Sequence, residues 1–180
     1  MSGRGRPGGD EYPSNFERYV ALVPGTDVIV VLDEQRAVVH ATLAALPEAR
    51  AAYRYADGKW SVREVVGHVV DSERVFGYRA LAFARGERAA LPSFDENEYA
   101  RQAGHDGVPI RALVEEFGSL RASHVAMLRH LPADAWARAG TASGKLVTVR
   151  ALAYIMAGHA AHHLGLLHER YGVPPAAGTH

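Results

Sequence analysis

Two histidines near the C-terminus have the spacing of metal ligands. His159 and His163 are four residues apart, which places both imidazoles on one face of a helix, about one turn apart. Imidazole nitrogen is a common ligand of zinc and other divalent transition metals. The chain contains 10 histidines and no cysteine, so any metal must bind to His, Asp or Glu, and His162 is a competing neighbour within this segment.

The helix face on which each histidine lies separates these candidates. The apolar stripe of the last helix contains Val149, Met156, Ala160 and Leu167. At about 100° per residue, His163 falls within this stripe and His159 lies at its edge. His162 and His168 project about 140° and about 100° from the stripe centre. The projection predicts that His159 and His163 face the interior, and that His162 and His168 face solvent.

A third histidine lies at the edge of another apolar stripe. His68 belongs to a helix whose stripe is centred on Val65, Val69 and Phe76, with Ser72 one turn further along. If these faces meet, three neutral imidazoles leave one coordination position open, as in catalytic zinc sites. Such a metal lowers the pKa of bound water or binds a thiolate. The plainer alternative for each of these side chains is a half-buried helix histidine that binds no metal.

The other candidate side chains are predicted to have structural roles. Four scattered histidines are expected to be exposed or hydrogen-bonded, namely His40, His105, His124 and His130. The acidic pairs Glu115-Glu116 and Asp95-Glu96 are interpreted as solvated charges, because neither forms the Glu-x-x-His pattern of di-iron bundles. Arg79 projects to the same face as His68, but 11 residues along a helix correspond to about 16 Å.

Four long helices are predicted to position these residues. The first covers residues 27–46, with Asp27 as N-cap, and the second begins at the capping box Ser61-Val62-Arg63-Glu64 and ends at Gly86. The third runs from Pro109 to Pro132, and the fourth from the N-cap Thr148 to Gly172. The fold class is therefore all-α, a four-helix bundle with long connections of roughly 15–22 residues that cover an end or wall of it.

Composition sets the domain organisation and excludes some functions. The 180 residues fit one domain, which we place at residues 21–173, after a disordered Gly/Arg-rich leader (1–20) and before a flexible tail (174–180). Lys+Arg and Asp+Glu are both 20, which argues against nucleic-acid binding. Apolar runs are too short for a membrane span, so we expect a soluble cytoplasmic protein.

Three segments resemble the DinB-like superfamily of DinB/YfiT-like metalloenzymes. They are the segment from Trp60 to His68 with its continuation Asp71-Ser72-Glu73-Arg74, the segment Leu91–Asn97, and Gly158-His159-Ala160-Ala161-His162-His163. The resemblance implies a four-helix bundle, often a homodimer, in which His68, His159 and His163 hold zinc, nickel or a similar divalent ion. It also implies relatives that use low-molecular-weight thiols in transferase or isomerase reactions, and others described as hydrolases.

Two classes of function remain open at this point. The first is a metal-dependent enzyme, a thiol-dependent S-transferase or a hydrolase, that acts on a small electrophilic substrate. Ser72 would line its pocket, and Asn97 or Tyr99 would reach the substrate if residues 94–99 fold over the mouth of the cleft. The alternative is a non-catalytic metal- or ligand-binding bundle with a role in stress response. A third possibility is a purely structural bundle in which the metal site has decayed.

Overall fold

Four long helices form the body of the protein in this computed structural model, which describes residues 3–25 and 27–176. They are α2 (Val28–Leu43), α4 (Val62–Ala84), α6 (Ile110–Arg129) and α7 (Val149–Tyr171), and the shorter helices are α1 (Glu17–Val20), α3 (Glu48–Ala51) and α5 (Glu96–Ala103). This arrangement confirms the predicted all-α four-helix bundle. Within the described ranges, none of the helices combines the length and apolarity needed to cross a membrane.

The helix ends follow the capping signals of the sequence. Ser61 Oγ accepts a hydrogen bond from the Glu64 backbone N–H at 3.1 Å, and the Glu64 carboxylate accepts one from the Ser61 N–H at 2.8 Å, which completes the predicted capping box. Asp27 and Thr148 cap α2 and α7 as expected. The first long helix ends at Leu43, three residues before its predicted end at 46, and Pro109 is the N-cap of α6 instead of its first residue.

A buried polar network connects all four long helices. The guanidinium of Arg121 (α6) donates to both carboxylate oxygens of Glu73 (α4), at 2.7 and 2.8 Å, and to the side-chain oxygen of Gln35 (α2) at 2.7 Å. The Gln35 amide in turn donates to the Ala157 carbonyl of α7 at 2.8 Å. His124 also contacts the Glu73 carboxylate, at 3.0 Å. Because unpaired groups would be costly in this core, the network fixes one relative arrangement of the helices.

A β-hairpin that the sequence analysis did not predict precedes the last helix. Its strands β1 (Ala139–Ala142) and β2 (Lys145–Thr148) are antiparallel, and Ala142 pairs with Lys145 across the two-residue turn Ser143-Gly144. Both turn residues have positive φ angles, 53° and 74°, as a tight hairpin turn of this type requires. The strand β2 leads without a linker into α7, so the hairpin lies beside the beginning of that helix.

Residues 3–25 pack against the bundle, although residues 1–20 were predicted to be a disordered leader. Tyr12, Tyr19 and Val20 are buried, and Arg6 donates hydrogen bonds to the Val20 and Val23 carbonyls at 2.7 and 2.5 Å. Aromatic and aliphatic side chains explain the difference, since their burial offsets the flexibility of a Gly-rich chain. In the predicted flexible tail, residues 174–176 are described and contain no helix or strand, and residues 177–180 lie outside the described part.

Close backbone contact joins this segment to α7. The Tyr19 carbonyl oxygen lies where a side chain at Gly158 would be, only 1.9 Å from the position of a Cβ atom. A glycine is therefore required one residue before His159. Residues 151–160 of α7 are all buried, so this half of the helix is covered on every side and has no solvent-facing stripe.

Candidate metal centre

Three histidines from two helices converge in the core of the bundle. His68 lies on α4, and His159 and His163 lie one turn apart on α7; each side chain is buried, with 4–8% of its surface exposed. The Nε2 atom of His159 is 3.1 Å from Nε2 of His68 and 3.2 Å from Nε2 of His163. Ligand atoms from the three residues all lie within 4.8 Å of one another.

Burial keeps these imidazoles neutral at physiological pH. Desolvation lowers the pKa of His68 to about 4 and that of His163 to about 3. The pKa of His159 is lowered well below its ordinary value, first by burial and then by repulsion from His163 and His68. A metal ion binds neutral imidazole, so no protons need to be displaced before coordination at neutral pH.

Aromatic side chains hold two of the three rings, those of His68 and His159, in position. The indole of Trp60 lies 5.0 Å from the His68 ring, and the rings of Tyr19 and Phe76 lie 5.3 and 5.7 Å from that of His159. These contacts restrict the rotation of both imidazoles and keep their Nε2 atoms directed at the common point.

The geometry of the cluster fits a divalent transition metal. Nitrogen ligands at about 2.0–2.1 Å from a tetrahedral zinc ion lie about 3.3 Å apart, close to the two observed Nε2 separations. The fit is incomplete at one point, because Nδ1 of His163 is buried without a hydrogen-bond partner among the described residues. Metal-ligating histidines usually donate from this second nitrogen to a protein group or a water molecule.

The cluster borders a cavity of about 360 Å³. His68 and His159 form part of its wall, together with Ser72 and Arg79 from α4 and residues of the N-terminal segment, including Arg18 and Tyr19. The hairpin contributes Ser143 and Lys145, and the region around α5 contributes Phe94 and Glu96. A small molecule in this space would therefore contact the histidines directly.

Sequence comparison identifies the family of this chain. The sequence model of the DinB superfamily matches residues 31–167, a range that contains all three histidines. The chain belongs to the DinB superfamily. The relative BH0277 of Halalkalibacterium halodurans, provisionally named a metal-dependent hydrolase, is 25% identical over 133 residues, which are 73% of this chain and 77% of that protein.

A solved structure shows the same fold. YfiT from Bacillus subtilis, described as a probable metal-dependent hydrolase with an unusual four-helix bundle topology, superimposes with a TM-score of 0.74. The superposition covers 97% of this chain and 100% of YfiT, and the two sequences are 19% identical. At this identity the likeness demonstrates a shared four-helix bundle topology.

Only one of the three predicted pocket residues of this DinB protein lines the cavity beside the histidines. Ser72 lines the cavity as expected, and its hydroxyl is buried without a partner among the described residues. Asn97 and Tyr99 do not line this cavity. Asn97 is exposed near the start of the short helix α5, and Tyr99 packs on Phe94 and lines a neighbouring cavity that shares Phe94 and Arg79 with the first.

The other histidines only partly follow their predictions. His162 is half-buried beside the ring of Tyr19, because the N-terminal segment covers the face that was expected to be exposed. His168 is also partly covered and contacts the Val173 carbonyl at 2.7 Å. His105 is buried over the backbone of Gly67, and its Nδ1 has no described partner, so it is neither exposed nor hydrogen-bonded there.

Sequence reasoning missed most of the cavity wall. Arg79 was noted on the correct helix face but set aside because of its distance along α4, although its long side chain reaches the cavity. The residues from the N-terminal segment and the hairpin lie far from the histidines in sequence. The only local signal was the set of aromatic residues Tyr12, Phe16 and Tyr19 beside a Gly/Arg-rich leader.

Proposed function

We propose that this DinB superfamily protein is a divalent-metal-dependent enzyme that acts on a small electrophilic substrate. His68, His159 and His163 are the proposed ligands of a single ion, zinc or nickel. The observation that carries the proposal is the convergence of three neutral Nε2 atoms, two of which belong to histidines in the wall of a cavity. The hydrolase name of the relative BH0277 supports the same reaction class.

An ion held by the three imidazoles supplies Lewis acidity, which lowers the pKa of a bound nucleophile. The protein's own residues prepare the site for this chemistry. Burial keeps the imidazoles unprotonated, and Trp60, Tyr19 and Phe76 fix their orientation. The hydroxyl of Ser72, which has no partner in the described part of the chain, is available to hydrogen-bond a substrate. Glu96 is the single carboxylate among the described residues of the cavity wall, and is the candidate proton acceptor.

The nucleophile distinguishes the two candidate reactions. A hydrolase transfers the electrophile to water, and a thiol-dependent S-transferase transfers it to a low-molecular-weight thiol. The hydrolase is the form that the relatives' names favour, and the S-transferase follows from the resemblance noted in the sequence. The homodimer, the cytoplasmic location and the absence of nucleic-acid binding remain predictions of the sequence analysis.

Metal binding is tested with the metal-free protein and four histidine variants. Zinc and nickel affinities are measured by isothermal titration calorimetry, and the metal content of the purified protein by mass spectrometry. His68→Ala, His159→Ala and His163→Ala should each abolish tight binding, because two imidazoles without a third ligand hold the ion poorly. His162→Ala is the matched control and should bind like the wild type. Loss of metal in His162→Ala, or no loss in the other three, contradicts the proposed ligand set.

Activity is then tested with the metal-loaded protein. Esters, amides and small electrophiles are screened with and without glutathione, bacillithiol or mycothiol. Turnover that requires a thiol indicates the S-transferase, and turnover in water alone indicates the hydrolase. Metal binding without turnover of any of these compounds would favour a non-catalytic metal- or ligand-binding bundle.

A further inference from the structure

Two arginines are buried in the described part of the chain, and only one of them has a counter-ion. Arg121 is fully buried and forms a two-point ion pair with Glu73. Arg79 is only 5% exposed, and no carboxylate forms an ion pair with it among the described residues. An unpaired buried charge is costly, so a missing anionic partner is the natural explanation for Arg79.

The hydrogen bonds of Arg79 leave part of its guanidinium free. Its Nη2 donates to the Pro92 carbonyl at 2.8 Å and to the Ser143 hydroxyl at 3.0 Å. Within the described ranges, Nε and Nη1 have no hydrogen-bond partner, and the guanidinium carbon lies 5.8 Å from the centroid of the Phe94 ring. Burial alone lowers the pKa of Arg79, with no opposing contribution from a nearby anion. The guanidinium nevertheless remains protonated at neutral pH, because its ordinary pKa is above 12.

Arg79 lines two cavities, and the one that also contains His68 and His159 in its wall has an excess of positive charge. Arg18 and Lys145 also line it, and neither forms an ion pair with a described residue. Glu96 is the one carboxylate in the described wall, and the histidines that border the cavity are neutral. Three cations and one anion therefore face a space that also contains the unpartnered Ser72 hydroxyl. Such a wall attracts an anionic molecule.

We propose that Arg79 binds an anionic oxygen group of the substrate, a carboxylate or a phosphate, at the end of the cavity away from the histidines. Either group accepts charge-assisted hydrogen bonds from a guanidinium. The free donors of Arg79 are Nε and Nη1, which lie on different sides of the guanidinium, so each can donate to an anionic oxygen singly. This inference rests on the proposed metal-dependent function, because Arg79 would bind one end of the same substrate whose other end reacts at the histidines.

The distance between Arg79 and the histidines limits the length of the substrate. Arg79 lies 11 residues after His68 on α4, which separates their backbones by about 16 Å. Both side chains lean toward the N-terminus of α4, so the longer reach of arginine shortens this gap only partly, and more than roughly 10 Å remains. A cavity of about 360 Å³ is at the small end of ligand sites. The substrate class is a small, elongated acid with its electrophilic group remote from the acid group.

A purely structural role for Arg79 makes different predictions. In that case, Arg79 serves only to join the hairpin turn at Ser143 to the backbone at Pro92, for which Nη2 is sufficient. Substitution would then reduce stability without changing anion binding.

The first test measures anion binding by the metal-free protein, so it does not depend on the metal. Inorganic phosphate and glutarate are titrated into wild type, Arg79→Gln, Arg79→Lys and the control Arg85→Gln, which removes an exposed arginine from the end of the same helix. Arg79→Gln should weaken binding at least about tenfold, as expected for loss of a charged hydrogen bond. Arg79→Lys should be intermediate and Arg85→Gln unchanged. Equal binding by wild type and Arg79→Gln overturns the proposal.

A direct measurement on the wild type covers the case in which Arg79→Gln does not fold. The Nε–H resonance of Arg79 in a ¹⁵N-labelled protein should shift as phosphate or glutarate is added, and an unchanged resonance overturns the proposal. The relative response to phosphate and to glutarate shows which of the two groups the site prefers.

The second test uses the zinc-loaded protein and a series of linear dicarboxylates from succinate to suberate, each compared with the monocarboxylate of equal length. The dicarboxylate of one particular length should bind at least about tenfold more tightly than the monocarboxylate of equal length, and Arg79→Gln should lose this difference in affinity. Zinc binding without any diacid preference overturns the Arg79 inference and leaves the metal site intact. If the protein does not bind zinc, the proposed function fails, and the phosphate titration still decides whether Arg79 binds anions.

Discussion

Acidification is expected to destabilise the metal-free protein because its core histidines are held neutral. Burial lowers the pKa of His68 to about 4 and that of His163 to about 3, whereas histidines in an unfolded chain titrate near 6.5. Between these values the unfolded state binds protons that the folded state excludes. The contribution of these neutral histidines to the free energy of unfolding is therefore fully present above pH 6.5. It is lost as the pH decreases toward their folded-state pKa values.

The size of the effect follows from the pKa difference. A pH of 5 is about 1.5 units below the pKa of a histidine in the unfolded chain, and each unit corresponds to 1.36 kcal/mol of unfolding free energy. At this pH, His68 and His163 each lower the free energy of unfolding by about 2 kcal/mol, since both remain neutral in the folded protein. Together they remove about 4 kcal/mol, a large part of the 5–15 kcal/mol that stabilises a typical domain. His159, whose pKa is also strongly lowered, adds to this loss.

Urea unfolding at pH 7 and pH 5, in the presence of a metal chelator, measures this loss. We compare wild type with His68→Gln and with the control His130→Gln, which replaces an exposed histidine. The loss of unfolding free energy between the two pH values should be about 2 kcal/mol smaller in His68→Gln than in wild type, and unchanged in His130→Gln. An equal loss in wild type and His68→Gln would show that His68 is not held neutral by the core.

Two further predictions concern the groups that position the site. Glu73→Gln leaves the charge of Arg121 buried without a counter-ion and should lower the free energy of unfolding by about 3–5 kcal/mol. The control Glu116→Gln breaks an exposed ion pair and should lower the free energy of unfolding by about 1 kcal/mol or less. An equal loss in Glu73→Gln and Glu116→Gln would mean that the buried network does not stabilise the fold more than an exposed ion pair does. Gly158→Ala places a methyl group against the N-terminal backbone and should cost about 1–3 kcal/mol in thermal or urea unfolding. Gly165→Ala, on the same helix with open space around it, should be neutral or stabilising, and a similar cost at both positions would refute the close contact.

Local signals made the long helices predictable. The capping box at Ser61 and the caps at Asp27 and Thr148 act through hydrogen bonds to residues no more than three positions away, so the sequence contains the complete interaction. The burial of His159 and His163 could be predicted for a similar reason, because helical periodicity alone places them on one face. Their meeting with His68 was a conditional prediction, since it depends on how α4 packs against α7.

The helix-face analysis was less successful where a distant segment covers a helix. It assigned His162 to solvent and placed His159 at the edge of the apolar stripe. In the structure, Tyr19 packs on both rings, and His159 is the central member of the cluster. The projection assumes one buried face per helix, and that assumption fails for the first half of α7, which is buried on every side.

The sequence by itself therefore determined the four helices, their ends and the two histidines that share a face of α7. Only the tertiary structure decided what surrounds the three-histidine cluster: the buried Glu73–Arg121 pair that connects the helices, the N-terminal segment at Tyr19, and the guanidinium of Arg79, which forms no ion pair with a described residue. The physical reason is the range of the interactions. Caps and helical periodicity act within a few residues, whereas a cavity wall is formed by side chains that are distant in sequence and that come together only when the core packs.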